Sequence, residues 1–154
     1  MKDIRQVIVP VDFEQHTDKL VKFAICMANK LDAKVTFVHV VKEGEYYSDY
    51  DSSSFEEFEA RIQNNAEKKM AAIIGKNKIS CPGCTGVLLS GDPVDCIVEY
   101  AKDQEIDLII MATHGSKGIE KILLGSVADR VLQRAHCPTL VFNPYKGERG
   151  EHVT

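Results

Sequence analysis

The residues best suited to chemistry lie between two apolar segments in the last third of the chain: Ala112-Thr113-His114-Gly115-Ser116-Lys117-Gly118, then Gly125-Ser126-Val127. The first group follows Leu108-Ile109-Ile110-Met111, four apolar residues without polar alternation, which is the pattern of a strand buried on both faces. The second opens a helical pattern that continues through Arg130, Val131 and Arg134. A strand feeding a glycine-containing loop and then a helix N-terminus gathers unpaired backbone N–H groups, the positive end of a helix dipole and the hydroxyls of Ser116 and Ser126. The chemistry this predicts is phosphate binding. His114 reads as a loop hydrogen-bond donor rather than a catalytic base, because a base needs a placed water or hydroxyl to act on.

Two further features carry reactive groups. Asp12 stands at the end of the first apolar run, Gln6 to Val11, and reads either as a ligand group or as an ordinary polar residue before a helix. Cys81-Pro82-Gly83-Cys84 reads first as a tight loop, with a reversible disulfide and half of a metal site as the alternatives. No second CxxC exists, the histidines are distant in sequence, and a strand pattern follows where redox motifs usually open a helix. Cys26, Cys96 and Cys137 fall in apolar patterns and are expected as buried small hydrophobes.

The elements that must position these groups follow from periodicity. Gln6 to Val11 is a first strand, with Pro10 near its end because proline forfeits a ladder hydrogen bond. A helix runs from Thr17, expected as its N-cap, along Leu20, Phe23, Ala24, Met27, Ala28 and Leu31. Lys34 to Val41 is a second strand, in which His39 reads as a core or sheet-face residue. Glu43 to Ser54 is polar and irregular and reads as a long loop. Ser54 is expected to cap a helix striped by Phe55, Phe58, Ile62, Ala66, Met70 and Ile73 and ended by Gly75. Gly86 to Ser90 is a third strand. Asp92 as N-cap, Pro93 at the first helical position and Asp95 in the first turn start a third helix, packed by Val94, Ile97, Val98 and Ala101. Leu108 to Met111, the helix from Gly125-Ser126 and the strand Cys137 to Phe142 complete the set. Strands alternating with helices predict an α/β fold with a mostly parallel sheet and ligands beyond the strands' carboxyl ends.

The chain has 154 residues, enough for one domain with a single core; residues 1–142 form it and 143–154 read as a polar tail. A formal charge of −4 argues against a broad nucleic-acid or anionic-membrane surface. No window approaches the roughly 20 apolar residues of a membrane helix, and no signal-peptide pattern opens the chain. The expectation is a cytoplasmic protein that contacts neither nucleic acid nor membrane.

Over nearly its whole length the sequence resembles the universal stress protein family. The resemblance rests on Val7-Ile8-Val9-Pro10-Val11-Asp12, His39-Val40, Ser90-Gly91-Asp92-Pro93, Asp107 to Met111, the loop through Gly125-Ser126, and Cys137-Pro138-Thr139-Leu140-Val141. It implies a doubly wound, Rossmann-like five-stranded parallel sheet of order 3-2-1-4-5 with helices on both faces. Family members that bind ATP carry a glycine, two residues, a second glycine, nine residues, then glycine and Ser or Thr. Here Ala112 replaces the first glycine, and Gly115, the nine residues Ser116 to Leu124 and Gly125-Ser126 keep the rest. If that position requires a positive φ, alanine costs on the order of 1 kcal/mol; if it requires only close approach, one methyl is tolerated.

The resemblance further implies an ATP or AMP cofactor, with or without Mg. Asp12 faces the ribose or a nucleotide-bound Mg, and the Val40 backbone meets the adenine edge. Pro10, Val11, Met111, Ala112, Thr113, His114 and Val127 surround the ligand. Gly115, Ser116, Gly118, Gly125 and Ser126 wrap the phosphates, with Lys117 adding positive charge. The implied protein is a regulatory stress-response module with at most slow ATP hydrolysis, lacking a Walker lysine motif or arginine finger. It is a homodimer through Thr139, Leu140, Val141 and Phe142 and presents a surface to an unknown protein partner. The alternatives are a nucleotide-free interaction module of the same fold and a thiol-sensing variant acting through Cys81 and Cys84.

Overall fold

The computed structural model describes residues 2–42, 52–113 and 125–144, and within 52–53 the backbone alone. Its elements are β1 (Gln6–Pro10), α1 (Thr17–Leu31), β2 (Lys34–Val41), α2 (Ser52–Lys76), β3 (Thr85–Ser90), α3 (Pro93–Asp103), β4 (Leu108–Ala112), α4 (Ser126–Arg134) and β5 (Thr139–Phe142). The five strands form one parallel sheet of order β3-β2-β1-β4-β5, in agreement with the expected doubly wound α/β class.

The uninterrupted apolar runs are explained by burial on both faces. Val7 and Val9 of β1, Phe37 of β2 and Ile110 of β4 pack with α1 and α2 residues such as Leu20, Ala24, Met70 and Ile73. Ile8, Val38 and Ile109 turn the other way, against Val94, Ile97 and Ala101 of α3 and Ala128 and Val131 of α4. Alternate side chains of one strand thus enter two different cores, so neither half of the alternation is polar. Helix α2 approaches the sheet closely at Gly86, where a Cβ would lie 2.5 Å from Met70 Cγ and 2.7 Å from Met70 Sδ.

Several element ends differ from expectation. Thr17 is the first residue of α1 rather than its cap; the cap position is His16, without a side-chain cap hydrogen bond. α2 begins at Ser52, so Ser54 lies inside it, and it passes through Gly75 to Lys76. β5 begins at Thr139, leaving Cys137 outside, and Cys26 is exposed on α1 rather than buried. The Asp92 cap forms as expected: its Oδ2 accepts the Asp95 N–H at 2.9 Å, with Pro93 at the first helical position. The loop read at 43–54 lies outside the described residues through position 51, as do residues 145–154 of the tail.

Candidate functional site

The site begins where two central strands part. β1 pairs with β2 from Gln6 to Pro10, but with β4 only at Val7↔Leu108 and Ile8↔Ile109. Beyond Ile8 the carboxyl ends of β1 and β4 are no longer linked by ladder pairing, which opens a crevice at the point where the winding direction reverses. Pro10 sits in this divergent part, where a missing N–H costs least. Val11 then leans back on β2, its N–H donating to the Val38 carbonyl at 2.8 Å.

The crevice widens into a cavity of about 460 Å³. Pro10 and Val11 from the end of β1, Val38 and Val40 from β2, Met111 and Ala112 from β4, and Ile97 and Val127 from the flanking helices give it a largely apolar wall. Asp12, Glu14, His39 and Lys42 supply its polar groups. A second hollow, about 540 Å³, shares Lys42, Pro93 and Val127 with the first and continues along Gly91, Asp92, Ser126 and Arg130. It lies at the N-terminus of α4, where Gly125 is the cap residue and no side chain caps the helix. Gly125 has no side chain to offer the first-turn N–H groups of α4, and a helix start of this kind is one to which an anion is attracted. Gly91, with φ +135°, takes a backbone conformation that side chains disfavour, and its N–H donates to the Val41 carbonyl at 3.0 Å.

Asp12 performs the helix-start role in full view: its Oδ1 accepts the Glu14 N–H at 2.9 Å and the Thr17 hydroxyl at 3.3 Å, holding the β1–α1 turn that His16 does not cap. The same carboxylate borders the cavity. Phe13, in the left-handed region at φ 61°, places its ring 4.2 Å from that of His39. His39 Nδ1 lies 2.7 Å from the Val11 carbonyl oxygen. A carbonyl can only accept, so Nδ1 carries the proton. Burial pulls the ring's pKa below its ordinary value of 6.5, against the opposing effects of that hydrogen bond and of Asp12, so the ring is neutral near pH 7.

Ala112 is the last residue of β4, paired with Phe142 of β5, and is not among the residues of positive φ. Ala112 therefore carries no left-handed strain, and it is one of the residues that line the cavity. Thr113 follows, buried, its N–H donating to the Phe142 carbonyl at 2.9 Å; its hydroxyl has no hydrogen-bond partner among the described residues. A buried hydroxyl of this kind, one residue beyond the cavity-lining Ala112, suits a polar ligand or loop group, because leaving it unpaired is costly.

Of the residues singled out in the sequence, Pro10, Val11, Asp12, Val40, Met111, Ala112 and Val127 line one cavity, and Ser126 lines its extension. His114, Gly115, Ser116, Lys117 and Gly118 lie outside the described residues. Cys81 and Cys84 precede β3 at the amino ends of the parallel strands, whereas the cavity lies at the carboxyl ends. His39, Ile97, Lys42 and Arg130 were not singled out. The position of His39 one residue before Val40 was the available signal; the other three reach the site only through helix and loop packing. Among the described residues no cluster of His, Cys, Asp and Glu is arranged to hold a metal, and no helix is long and apolar enough to cross a membrane.

Comparison with known proteins agrees with this architecture. The model of the universal stress protein family matches residues 3–143. A universal stress protein of Methanocaldococcus jannaschii is 35% identical over 150 residues, covering 94% of this chain and 85% of that protein. The solved structure of a second universal stress protein of that organism superposes with a TM-score of 0.77 at 26% identity, covering 92% of this chain and 97% of that one. A universal stress protein family member from Arabidopsis thaliana, solved with AMP bound, shares the fold at a TM-score of 0.63 and 19% identity, over 90% of this chain and 91% of that one.

Proposed function

The chain belongs to the universal stress protein family, and from that premise we propose that it is a cytoplasmic regulatory module of the stress response that binds an adenine nucleotide, ATP or AMP, at the parting of β1 and β4. The observation that carries the reading is the convergence of four separate segments, residues 10–12, 38–42, 111–112 and 126–128, on one cavity and its extension. Its volume of about 460 Å³ falls within the roughly 300–1,000 Å³ of small-molecule sites. The apolar wall of Pro10, Val40 and Met111 suits a flat base, with the Val40 backbone reading the adenine edge. Asp12, already held by Glu14 and Thr17, turns to the ribose or to a nucleotide-bound Mg. The phosphates run toward the N-terminus of α4, where Gly125, Ser126 and the loop residues Gly115, Ser116 and Gly118 surround them and Lys117 adds charge. The AMP held by the Arabidopsis relative is consistent with this use of the fold.

Nucleotide occupancy biases the loop and the surface that a protein partner reads, with at most slow hydrolysis. β5 lies at the sheet's edge, with Thr139 to Phe142 only half buried. An unpaired edge of this kind invites a second copy, and a homodimer forms there. Freshly purified protein, denatured and analysed by chromatography and mass spectrometry, is expected to release stoichiometric ATP or AMP, and Gly125→Val protein to release none. Gly125 has φ −59° and ψ 151°, open to any residue, so that variant blocks approach without straining the backbone. Protein that emerges empty and fails to bind added Mg·ATP overturns the reading in favour of a nucleotide-free interaction module.

A further inference from the structure

The turn between α2 and β3 carries a feature the nucleotide site does not use. Cys81 and Cys84 are joined by a disulfide, Cα to Cα 5.5 Å, across Pro82 and Gly83. The two sulfurs are not equivalent: Cys81 is partly exposed in a turn whose neighbours Lys78, Ile79, Ser80, Pro82 and Gly83 are exposed, whereas Cys84 is 8% exposed and belongs to the core that contains Met70 and Ile73. The Cys81 end of the bridge is therefore the more open to solvent.

The turn is also held by bonds that do not involve sulfur. The Cys81 N–H donates to the Asn77 carbonyl at 2.8 Å and the Cys84 N–H to the Cys81 carbonyl at 3.2 Å. Asn77 Nδ2 donates to the Ile73 carbonyl at 2.8 Å, anchoring the turn to the last turns of α2. Asn29 of α1 donates from Nδ2 to the Ser80 carbonyl at 3.1 Å, fastening the turn to a second helix. Opening the disulfide leaves this scaffold in place, so the two thiols stay within reach of each other and the bond can re-form without refolding.

From this asymmetry and this scaffold we propose that Cys81 and Cys84 form a reversible dithiol–disulfide site that exchanges with low-molecular-weight thiols and disulfides, Cys81 being the sulfur attacked. A thiolate RS⁻ attacks Cys81 Sγ; the Cys81–Cys84 bond breaks and Cys84 leaves as a thiolate that takes a proton from solvent. A second RS⁻ attacks the outer sulfur of the mixed disulfide, releasing RSSR and the Cys81 thiolate, which is protonated in turn. The protein's disulfide is reduced to two thiols while two RSH become one RSSR, and the reverse sequence closes the pair. The buried partner sits where α2 approaches the sheet, two residues before Gly86. The site does not depend on nucleotide binding.

The test uses the native full chain, equilibrated in glutathione buffers of graded thiol-to-disulfide ratio, quenched with acid, alkylated and mapped by peptide mass spectrometry. Cys81 and Cys84 are expected to pass together from unlabelled to labelled in one two-electron transition, and to return when the ratio is reversed. Cys84→Ser protein is expected to accumulate one glutathione on Cys81. Labelling of the pair at every ratio, or protection that persists in excess dithiothreitol until the protein is denatured, overturns the proposal. So does a glutathione adduct that avoids Cys81 in the Cys84→Ser protein.

Discussion

Replacing Ala112 by glycine supplies the first glycine of the nucleotide motif that the sequence resemblance implies and tests directly how alanine is tolerated there. In the structure Ala112 is a strand residue paired with Phe142, outside the left-handed region, and one of the residues that line the cavity. Ala112→Gly therefore relieves no backbone strain. It adds chain entropy to be lost on folding, worth roughly 0.5–1 kcal/mol. For a chain of this length that lowers Tm by about 1–4 °C. For the ligand, one methyl group is at stake, about 0.8 kcal/mol at most by the burial of a single carbon. That energy corresponds to about a fourfold change in Kd. The expected outcome is a slightly less stable protein whose affinity for AMP and for Mg·ATP, measured by isothermal titration calorimetry, stays within about fourfold of the parent. Differential scanning calorimetry supplies the stability arm. A gain in affinity of tenfold or more shows that the methyl obstructs the ligand, and a rise in Tm shows that the alanine backbone is strained; either result refutes the reasoning.

Three other perturbations follow from the geometry. Burial holds the His39 ring's pKa below 6.5, so the unfolded chain binds a proton that the folded chain resists. Stability is thus retained above about pH 6.5 and falls as pH drops through that value. His39→Gln, which keeps a donor for the Val11 carbonyl, is expected to flatten the fall in Tm between about pH 8 and pH 5; parallel curves for the two proteins contradict this. Gly86→Ala puts a Cβ 2.5 Å from Met70 Cγ and 3.0 Å from Ile74 Cδ1. Because methionine yields readily, the loss should sit near the low end of the overpacking range, about 1 kcal/mol, read as a lower urea midpoint with an unchanged m-value. An unchanged midpoint would mean that α2 and β3 are not in close contact there. Val141→Lys on the β5 edge is expected to convert the dimer to monomer in light scattering, and a parent protein that is monomeric at every concentration removes the proposed interface.

Much of the fold is legible without coordinates because its signals are local. The runs Val7-Ile8-Val9 and Leu108 to Met111 lack polar alternation, since both faces of a central parallel strand are buried. Asp92-Pro93 announces α3 because an N-cap carboxylate and a proline at the first helical position satisfy the same helix end. Element ends are less legible: Thr17 offers the composition of a cap, yet it is the first residue of α1, and its hydroxyl donates to Asp12 five residues earlier. Cys26 sits between apolar neighbours in sequence but on the outer side of α1, a distinction that depends on the helix's orientation in the packed protein.

By itself the sequence determined the α/β class and the alternation of strands and helices, because periodicity and capping are written within a few residues of where they act. The adjacency of β1 and β4 came from family resemblance, since strand order is a relation between segments about a hundred residues apart. Tertiary structure alone decided that these two strands stay paired for only two residues and then part. It also decided that His39, Ile97, Lys42 and Arg130 reach the resulting cavity and its extension, that the Ala112 backbone is unstrained, and that Cys81 and Cys84 join with one residue partly exposed and one buried. Each of these depends on which surfaces meet after packing, and no local pattern of residue types encodes that meeting.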